Sequence, residues 1–346
     1  MTEIASILLN WFDRNRRTFP FRETKDPYRI WISEIMLQQT RTETVTPYYE
    51  RFLHAFPDVF TLANATEADV LKAWEGLGYY TRARNLKKTA DIIANTHNGV
   101  FPDTVAGLLS LPGIGAYTAG AIASIAYDLQ IPAMDGNLTR VFARLYDLHE
   151  NTSRSETKEK LYAIAQQHMP PVRSGDLNQA LMDLGAGVCK PIPHCDLCPL
   201  AQLCLAKEHG TQDALPVKDR KKPPVPLAYD VLLVEHGGHI LMQRRKEKML
   251  SGLWVFPLLE GENSAEIIVS ALSPVALETE PKLLAEGVHV FTHQVWHMRV
   301  WHAAAKDCDT VPAAYRTAKW LTAEEVRKAP KPSAMRLAIA CASKLI

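Results

Sequence analysis

Four of the six cysteines fall within sixteen residues, in CKPIPHCDLCPLAQLC from Cys189 to Cys204, and no other feature narrows the possible folds as much. The gaps between Cys189, Cys195, Cys198 and Cys204 are five, two and five residues. Cysteines so crowded are not spread as a disulfide framework, and Cys308 and Cys341 stand apart from them, expected to be unligated. In a reducing compartment such a cluster reads as a metal site. Four thiolates on one loop suit zinc or a [4Fe-4S] cluster, and spacing leaves both open.

At 346 residues the chain exceeds one compact core and is expected to form two domains. With 47% hydrophobic and 22% charged residues it has apolar material for both. The apolar run Ile30 to Leu37 is interrupted by Ser33 and Glu34 and is too short for a bilayer. MTEIASILLNWFDRNRR lacks the order of charge, apolar core and small residues of a secretory signal. A cytoplasmic, bacterial-type protein with no membrane partner is the expectation. The net charge of +1 means that any grip on nucleic acid rests on local groups.

The first two-thirds carry helix signals. Asp26 and Pro27 precede YRIWISEIMLQQ, Thr66 and Asp69 form a capping-box pattern before VLKAW, and Gly99 follows TRARNLKKTADIIANTHN. Further helices are expected at Ala116 to Tyr127, Leu138 to Leu148, Ser155 to His168 and Asp176 to Leu184. Residues 1–206 therefore read as all-α, including the cysteine loop 189–204. Residues 207–226, with LPVKDRKKPPVP, read as a linker whose basic stretch 219–222 is solvated. From 227 to 346 the texture is α+β: YDVLLVEHGGHILMQRR is a hairpin signal around Gly237 and Gly238, and VHVFTHQVWHMRVWHAAA alternates like paired strands.

A second motif is LPGIGAYTAGAIASIAY, from Leu111 to Tyr127. Gly113 and Gly115 permit a tight turn between helices, and the free NH groups of the next helix make an anion site that holds a phosphate without lysine. This hairpin, MDGN at Met134 to Asn137 and the four-cysteine loop together resemble the helix-hairpin-helix superfamily of DNA glycosylases, which includes endonuclease III. Within it, WISEIMLQQTR, WEGLGYYTRARNL, GAYTAG, DGN and LNQALMDLGA resemble the MutY family of adenine DNA glycosylases, densely from about Asn10 to Cys204.

That resemblance implies base excision repair: hydrolysis of the N-glycosidic bond of adenine opposite 8-oxoguanine or guanine in duplex DNA, by a monomer working at the nucleoid. It selects a [4Fe-4S] cluster on Cys189, Cys195, Cys198 and Cys204. It makes Glu34, among apolar neighbours, the acid that protonates the base, and Asp135, at a helix start, the anion that stabilises the sugar cation. Asn137 and Tyr117 support them. Where lyases of the superfamily carry a lysine this chain has Tyr117, so the resemblance implies hydrolysis without strand cleavage. It places Gln39, Leu77, Tyr79, Gly113 and Gly115 against DNA, with Gln39 and Tyr79 as wedges beside the extruded base. Arg17, Phe19 and Phe21 line the adenine pocket, with Phe21 where the family more often has Trp. The loop KPIPH has five residues where the family usually has six, and Lys190 and His194 are its basic groups.

The C-terminal half resembles the Nudix-like domain of the same family, which reads the oxidised guanine through Phe291, Thr292 and His293; the family usually has Ser where Thr292 stands. No Gly-x5-Glu-x7-Arg-Glu-x2-Glu-Glu pattern occurs between Leu227 and Ile346, so pyrophosphate hydrolysis is not expected. His289, His293, His297 and His302 sit among alternating strand residues, without the cysteine or carboxylate pattern of a metal site. A bifunctional pyrimidine glycosylase and lyase, and a DNA-binding module with dead chemistry, are the alternatives. Tyr117 weighs against the first, and the presence of both Glu34 and Asp135 against the second.

Overall fold

The computed structural model describes residues 1–220 and 222–345; Lys221, within the basic stretch 219–222, and Ile346 lie outside it. The chain divides into two compact units, one formed by Met1–Ala65 with Arg84–Arg220, the other by Thr66–Ala83 with 222–345. The short segment 66–83 thus groups with the C-terminal residues.

The first unit is helical. It holds α1 (Glu3–Asn15), α2 (Pro27–Leu37), α3 (Thr42–Ala55) and α4 (Val59–Asn64). After α5 (Glu67–Ala73) of the other unit come α6 (Thr81–Thr96), whose residues 81–83 group with that unit, α7 (Val105–Leu109), α8 (Ala116–Tyr127), α9 (Gly136–Leu145), α10 (Ser155–His168), α11 (Ser174–Gly187) and α12 (Leu205–Glu208). Residues of α1, α9, α10 and α11 build one core, with Leu8, Phe142, Leu161 and Leu181 at 1% exposure or less. α2 is buried around most of its circumference, with Tyr28 and Ile30 to Met36 all buried and Arg29 exposed, which makes it a core helix. Asp26 caps it, its Oδ1 accepting from Tyr28 N at 2.9 Å, and Pro27 opens the first turn.

Two helices, α9 and α11, differ from the sequence expectation at both ends, α11 running on to Gly187. α9 starts at Gly136 because Asp135 is its N-cap, and stops at Leu145, short of Leu148, as Asp147 turns left-handed at φ 48°. α11 starts at Ser174, two residues early, where Asp128 Oδ1 accepts from Ser174 N at 2.7 Å.

The second unit is built on a mixed sheet of β1 (Val225–His236), β2 (His239–Arg244), β3 (Trp254–Val255), β4 (Leu258–Glu260), β5 (Lys282–Val290), β6 (Gln294–Ala304) and β7 (Ala318–Thr322). Its main path runs β3-β2-β1-β6-β5, with β4 on β1 and β7 on β2. Helices α13 (Ala265–Leu272), α14 (Ala323–Lys328) and α15 (Arg336–Ala342) complete it. Both expected hairpins form. β1 and β2 pair around Gly237 and Gly238, both at positive φ, as a two-residue hairpin turn requires. β5 and β6 pair antiparallel up to Val290↔Val295, leaving Phe291, Thr292 and His293 in the turn.

β1 also runs parallel to β6 over eleven register pairs, including Asp230↔Arg299. Asp230 is fully buried and accepts from Arg299 Nε at 2.8 Å and Nη2 at 3.0 Å, from Asn263 N at 2.7 Å and from Trp301 Nε1 at 2.9 Å. Such a carboxylate is tolerated inside because its lone pairs are all used. Segment 66–83 is fastened to this unit by Lys72 Nζ donating to Arg327 O at 2.7 Å and Tyr80 Oη to Lys331 O at 2.9 Å. The Thr66 and Asp69 capping box closes as expected.

Candidate active site

The cavity that matters lies in the helical unit, about 200 Å3 in volume, among the residues of α2, α8, α11, the start of α9 and the turn before α2. Its walls include Glu34, Tyr117, Asp135 and Asn137, together with Arg17, Phe19 and Phe21. The four expected catalytic residues and the three expected pocket residues are thus assembled around one space.

Glu34 is 6% exposed because its helix is buried along nearly its whole length, with Ile30 to Met36 all buried. Burial lifts its pKa from 4.5 to about 7, against the opposing pull of the Tyr117 hydrogen bond and the Arg22 charge, while Asp135 adds to the rise. Near neutrality its carboxyl therefore still carries a proton for much of the time. Tyr117 Oη donates to Glu34 Oε2 at 2.5 Å. Burial, then the adjoining Glu34 carboxyl, push that phenol well above its ordinary value, so it acts as a fixed donor.

Asp135 Oδ1 accepts from Asn137 N and Leu138 N, both at 2.8 Å, and its Oδ2 accepts from Asn137 Nδ2 at 2.9 Å. These donors and the helix start favour the anion, yet burial is the larger effect and its pKa is raised. Asn137 is held in turn by Arg140, whose Nη2 donates to Asn137 Oδ1 at 2.8 Å while its Nε donates to Cys189 O at 2.7 Å.

The pocket wall depends on a residue that the sequence reading did not select. Asp183, on α11 and 3% exposed, accepts from Arg17 Nε at 2.7 Å, Arg22 Nη1 at 2.6 Å and Arg22 Nη2 at 2.9 Å. The two guanidinium groups lie over Phe19 at 5.2 and 5.4 Å, and Phe19 stacks on Phe21 at 5.2 Å and 10°. The sequence offers no signal for the Asp183–Arg22 pair, because a pairing 161 residues apart leaves no local pattern.

The hairpin has the backbone expected of it. Gly113 has φ 78°, and a Cβ there would meet Asn85 Cβ at 2.7 Å, so glycine is required. Gly115 is the N-cap of α8, offers no side-chain cap, and faces open space. Gln39, exposed at the end of α2, and Tyr79, 43% exposed in the other unit, both have left-handed backbones, φ 57° and 48°. Non-glycine residues hold that conformation where surrounding structure imposes it, often at ligand sites. Leu77 differs: it is 6% exposed, so its side chain offers little to a ligand, and its carbonyl accepts from Arg82 Nη2 at 3.0 Å.

In the second unit Thr292 and His293 are exposed at the β5-β6 turn, and the Thr292 and Tyr79 hydroxyls are hydrogen bonded. Phe291 packs edge-on to Trp296 at 4.9 Å, and His289 edge-on to Phe291 at 4.5 Å, which braces the turn.

Cys189, Cys195, Cys198 and Cys204 line one small cavity with Arg144, Lys207 and Gln212. Arg144 Nη1 donates to Cys189 Sγ at 3.4 Å, and backbone NH groups of Leu200 and of Lys207 and Ala206 are bonded to Cys198 and Cys204. Burial raises the Cys198 thiol to about 11 and also raises Cys195 and Cys204, with the neighbouring cysteines adding to each. Donors aimed at crowded sulfurs fit thiolates held by a cationic centre. No group of three or more His, Cys, Asp or Glu among the described residues is disposed to hold a single metal ion.

Residues 32–167 match the model of the HhH-GPD superfamily base excision DNA repair proteins, and residues 230–341 match the NUDIX domain. An adenine DNA glycosylase of Buchnera aphidicola subsp. Acyrthosiphon pisum (strain APS) is 33% identical, over 85% of this chain and 84% of its own. One from Rattus norvegicus is 33% identical, over 97% of this chain and 77% of its own. Among solved structures, a thermostable thymine-DNA glycosylase aligns with a TM-score of 0.55 at 30% identity, covering 60% of this chain and 95% of that one. A non-covalent endonuclease III-DNA complex shares the fold at a TM-score of 0.52 and 20% identity, over 60% of this chain and 95% of that one. With relatives of this identity aligned along most of both chains, the protein belongs to the adenine DNA glycosylase family.

Proposed function

We propose that this DNA glycosylase of base excision repair hydrolyses the N-glycosidic bond of adenine paired with 8-oxoguanine or guanine in duplex DNA and leaves an abasic site. The observation that carries the reading is the pair of carboxyls, Glu34 and Asp135, lining one cavity, the first bonded to a phenol and the second to three N–H donors at a helix start. Glu34, lifted to about 7, donates its proton to a ring nitrogen of the extruded adenine, making the base a better leaving group. As the bond stretches, positive charge grows on the sugar and Asp135, held by three donors, stabilises it. Water completes the hydrolysis. Tyr117 supplies a phenol where a lyase needs an amine, so no Schiff base forms there and the strand is left intact.

Phe19 and Phe21 supply the aromatic wall for the base, and Arg17 and Arg22, fixed by Asp183, supply its polar edge. Gly113 and Gly115 bring backbone NH groups to a phosphate, Gln39 and Tyr79 fill the space left by the base, and Phe291, Thr292 and His293 contact the opposite guanine. The four cysteines hold a [4Fe-4S] cluster, which ties the loop 189–204 to the helical unit and supplies a one-electron centre when bound. Single-turnover adenine release from duplexes with 8-oxoguanine, guanine or thymine opposite tests the reading. Release opposite 8-oxoguanine with no strand cleavage is expected; rapid cleavage without added base, or mismatch binding with no release, contradicts it.

A further inference from the structure

We infer that Gln212 is a positioning residue for the iron-sulfur cluster, donating its side-chain amide NH to a cluster sulfur. The inference rests on the proposal that the four cysteines hold that cluster. Gln212 lines the same small cavity as Cys189, Cys195, Cys198 and Cys204. Its Oε1 is buried and has no hydrogen-bond partner among the described residues. A buried amide oxygen left unpaired is unfavourable, and in native proteins such an orphan calls for a partner beyond the polypeptide. The two ends of a glutamine amide are interchangeable in shape, so a half-turn puts NH2 where the orphan oxygen lies. Sulfur is the acceptor that the cavity offers once iron is bound.

The sulfurs are unequally served. Cys189 receives Arg144, Cys198 receives the Leu200 NH, and Cys204 receives the NH groups of Ala206 and Lys207. Cys195 receives no such bond among the described residues; besides burial it feels Cys189 and Arg144 most, then Lys207 and Asp213, the residue next to Gln212. The segment that carries Gln212 is also held in place. Thr211 N donates to Ala206 O at 2.8 Å, the Thr211 hydroxyl bonds Asp147 Oδ1, and His209 Nδ1 lies 2.8 Å from Asp147 Oδ2. These bonds fix the backbone from which the Gln212 side chain enters the lining of the cavity.

Hydrogen bonds to cluster sulfurs favour the more electron-rich state and so raise the reduction potential. The experiment uses the full-length protein as wild type, Gln212→Leu and Gln212→Glu. Iron and acid-labile sulfide per chain are measured first, and the midpoint of the one-electron cluster couple is then read by voltammetry against an electrode that supplies or accepts the electron. Equal iron in all three with a more negative midpoint in both variants is expected, because Leu has no donor and Glu adds a negative charge. A folded Leu variant that loses its iron in air faster than wild type supports the same assignment. Equal iron, equal midpoints and equal air stability overturn it. Wild-type protein without iron overturns the cluster reading itself, which separates the two failures.

Discussion

Glu34 is where a single side chain decides the chemistry. Its pKa of about 7 means that the acid form is depleted above neutrality, so single-turnover release should fall about tenfold per pH unit on the alkaline side. Tyr117→Phe removes a donor that favours the anion, and the alkaline limb should move to higher pH. The same burial costs stability. Folding takes up a proton on Glu34 between 4.5 and about 7, so stability falls as pH rises across that window. Glu34→Gln should therefore raise stability at pH 8, by up to about 3 kcal/mol, the difference between about 7 and 4.5 converted at about 1.36 kcal/mol per pH unit. Urea denaturation of both proteins at pH 8 checks this, and a destabilised Gln variant contradicts it. Tyr49 offers a second case: its hydroxyl is buried without a partner among the described residues, so Tyr49→Phe should leave stability unchanged or raise it by about 1 kcal/mol.

At the level of elements, the turn Pro20–Arg22 keeps its place against α11 through Asp183. Asp183→Asn leaves two guanidinium groups without their shared carboxylate and should cost about 3 kcal/mol, read as a lower denaturation midpoint, together with weaker adenine binding. The helices after Asp26, Thr66 and Gly115 were legible in the sequence, since such start signals act within a few residues, whereas α1, capped by Thr2, and the short α4 and α7 were not singled out. Both hairpins were legible for the same reason. The parallel pairing of β1 with β6 was not, because alternation shows that a residue lies in a strand without showing which distant strand it meets. Asp183 and Asp230, each satisfied by arginines far along the chain, were hidden likewise.

Across the whole molecule, the division of the chain departs from its order in sequence. Segment 66–83 belongs by packing to the unit that carries the sheet, fastened through Lys72 and Tyr80. Tyr80→Phe should lower amide-exchange protection across 66–83 while leaving 84–220 unchanged; an equal loss in both would contradict that assignment. The candidate site was largely legible, since Glu34, Tyr117, Asp135 and Asn137 sit in short motifs at element starts and on a core helix, and it is those motifs that carry the family resemblance from which their roles were drawn. The buried Leu77 was not foreseen, because motif membership does not reveal exposure. The central claim is that Glu34 is the proton donor for adenine release. It is tested most directly by single-turnover adenine release from an adenine:8-oxoguanine duplex at pH 7, wild type against Glu34→Gln. A loss of about 10²- to 10⁴-fold with duplex binding retained is predicted, and release at the wild-type rate would contradict the account.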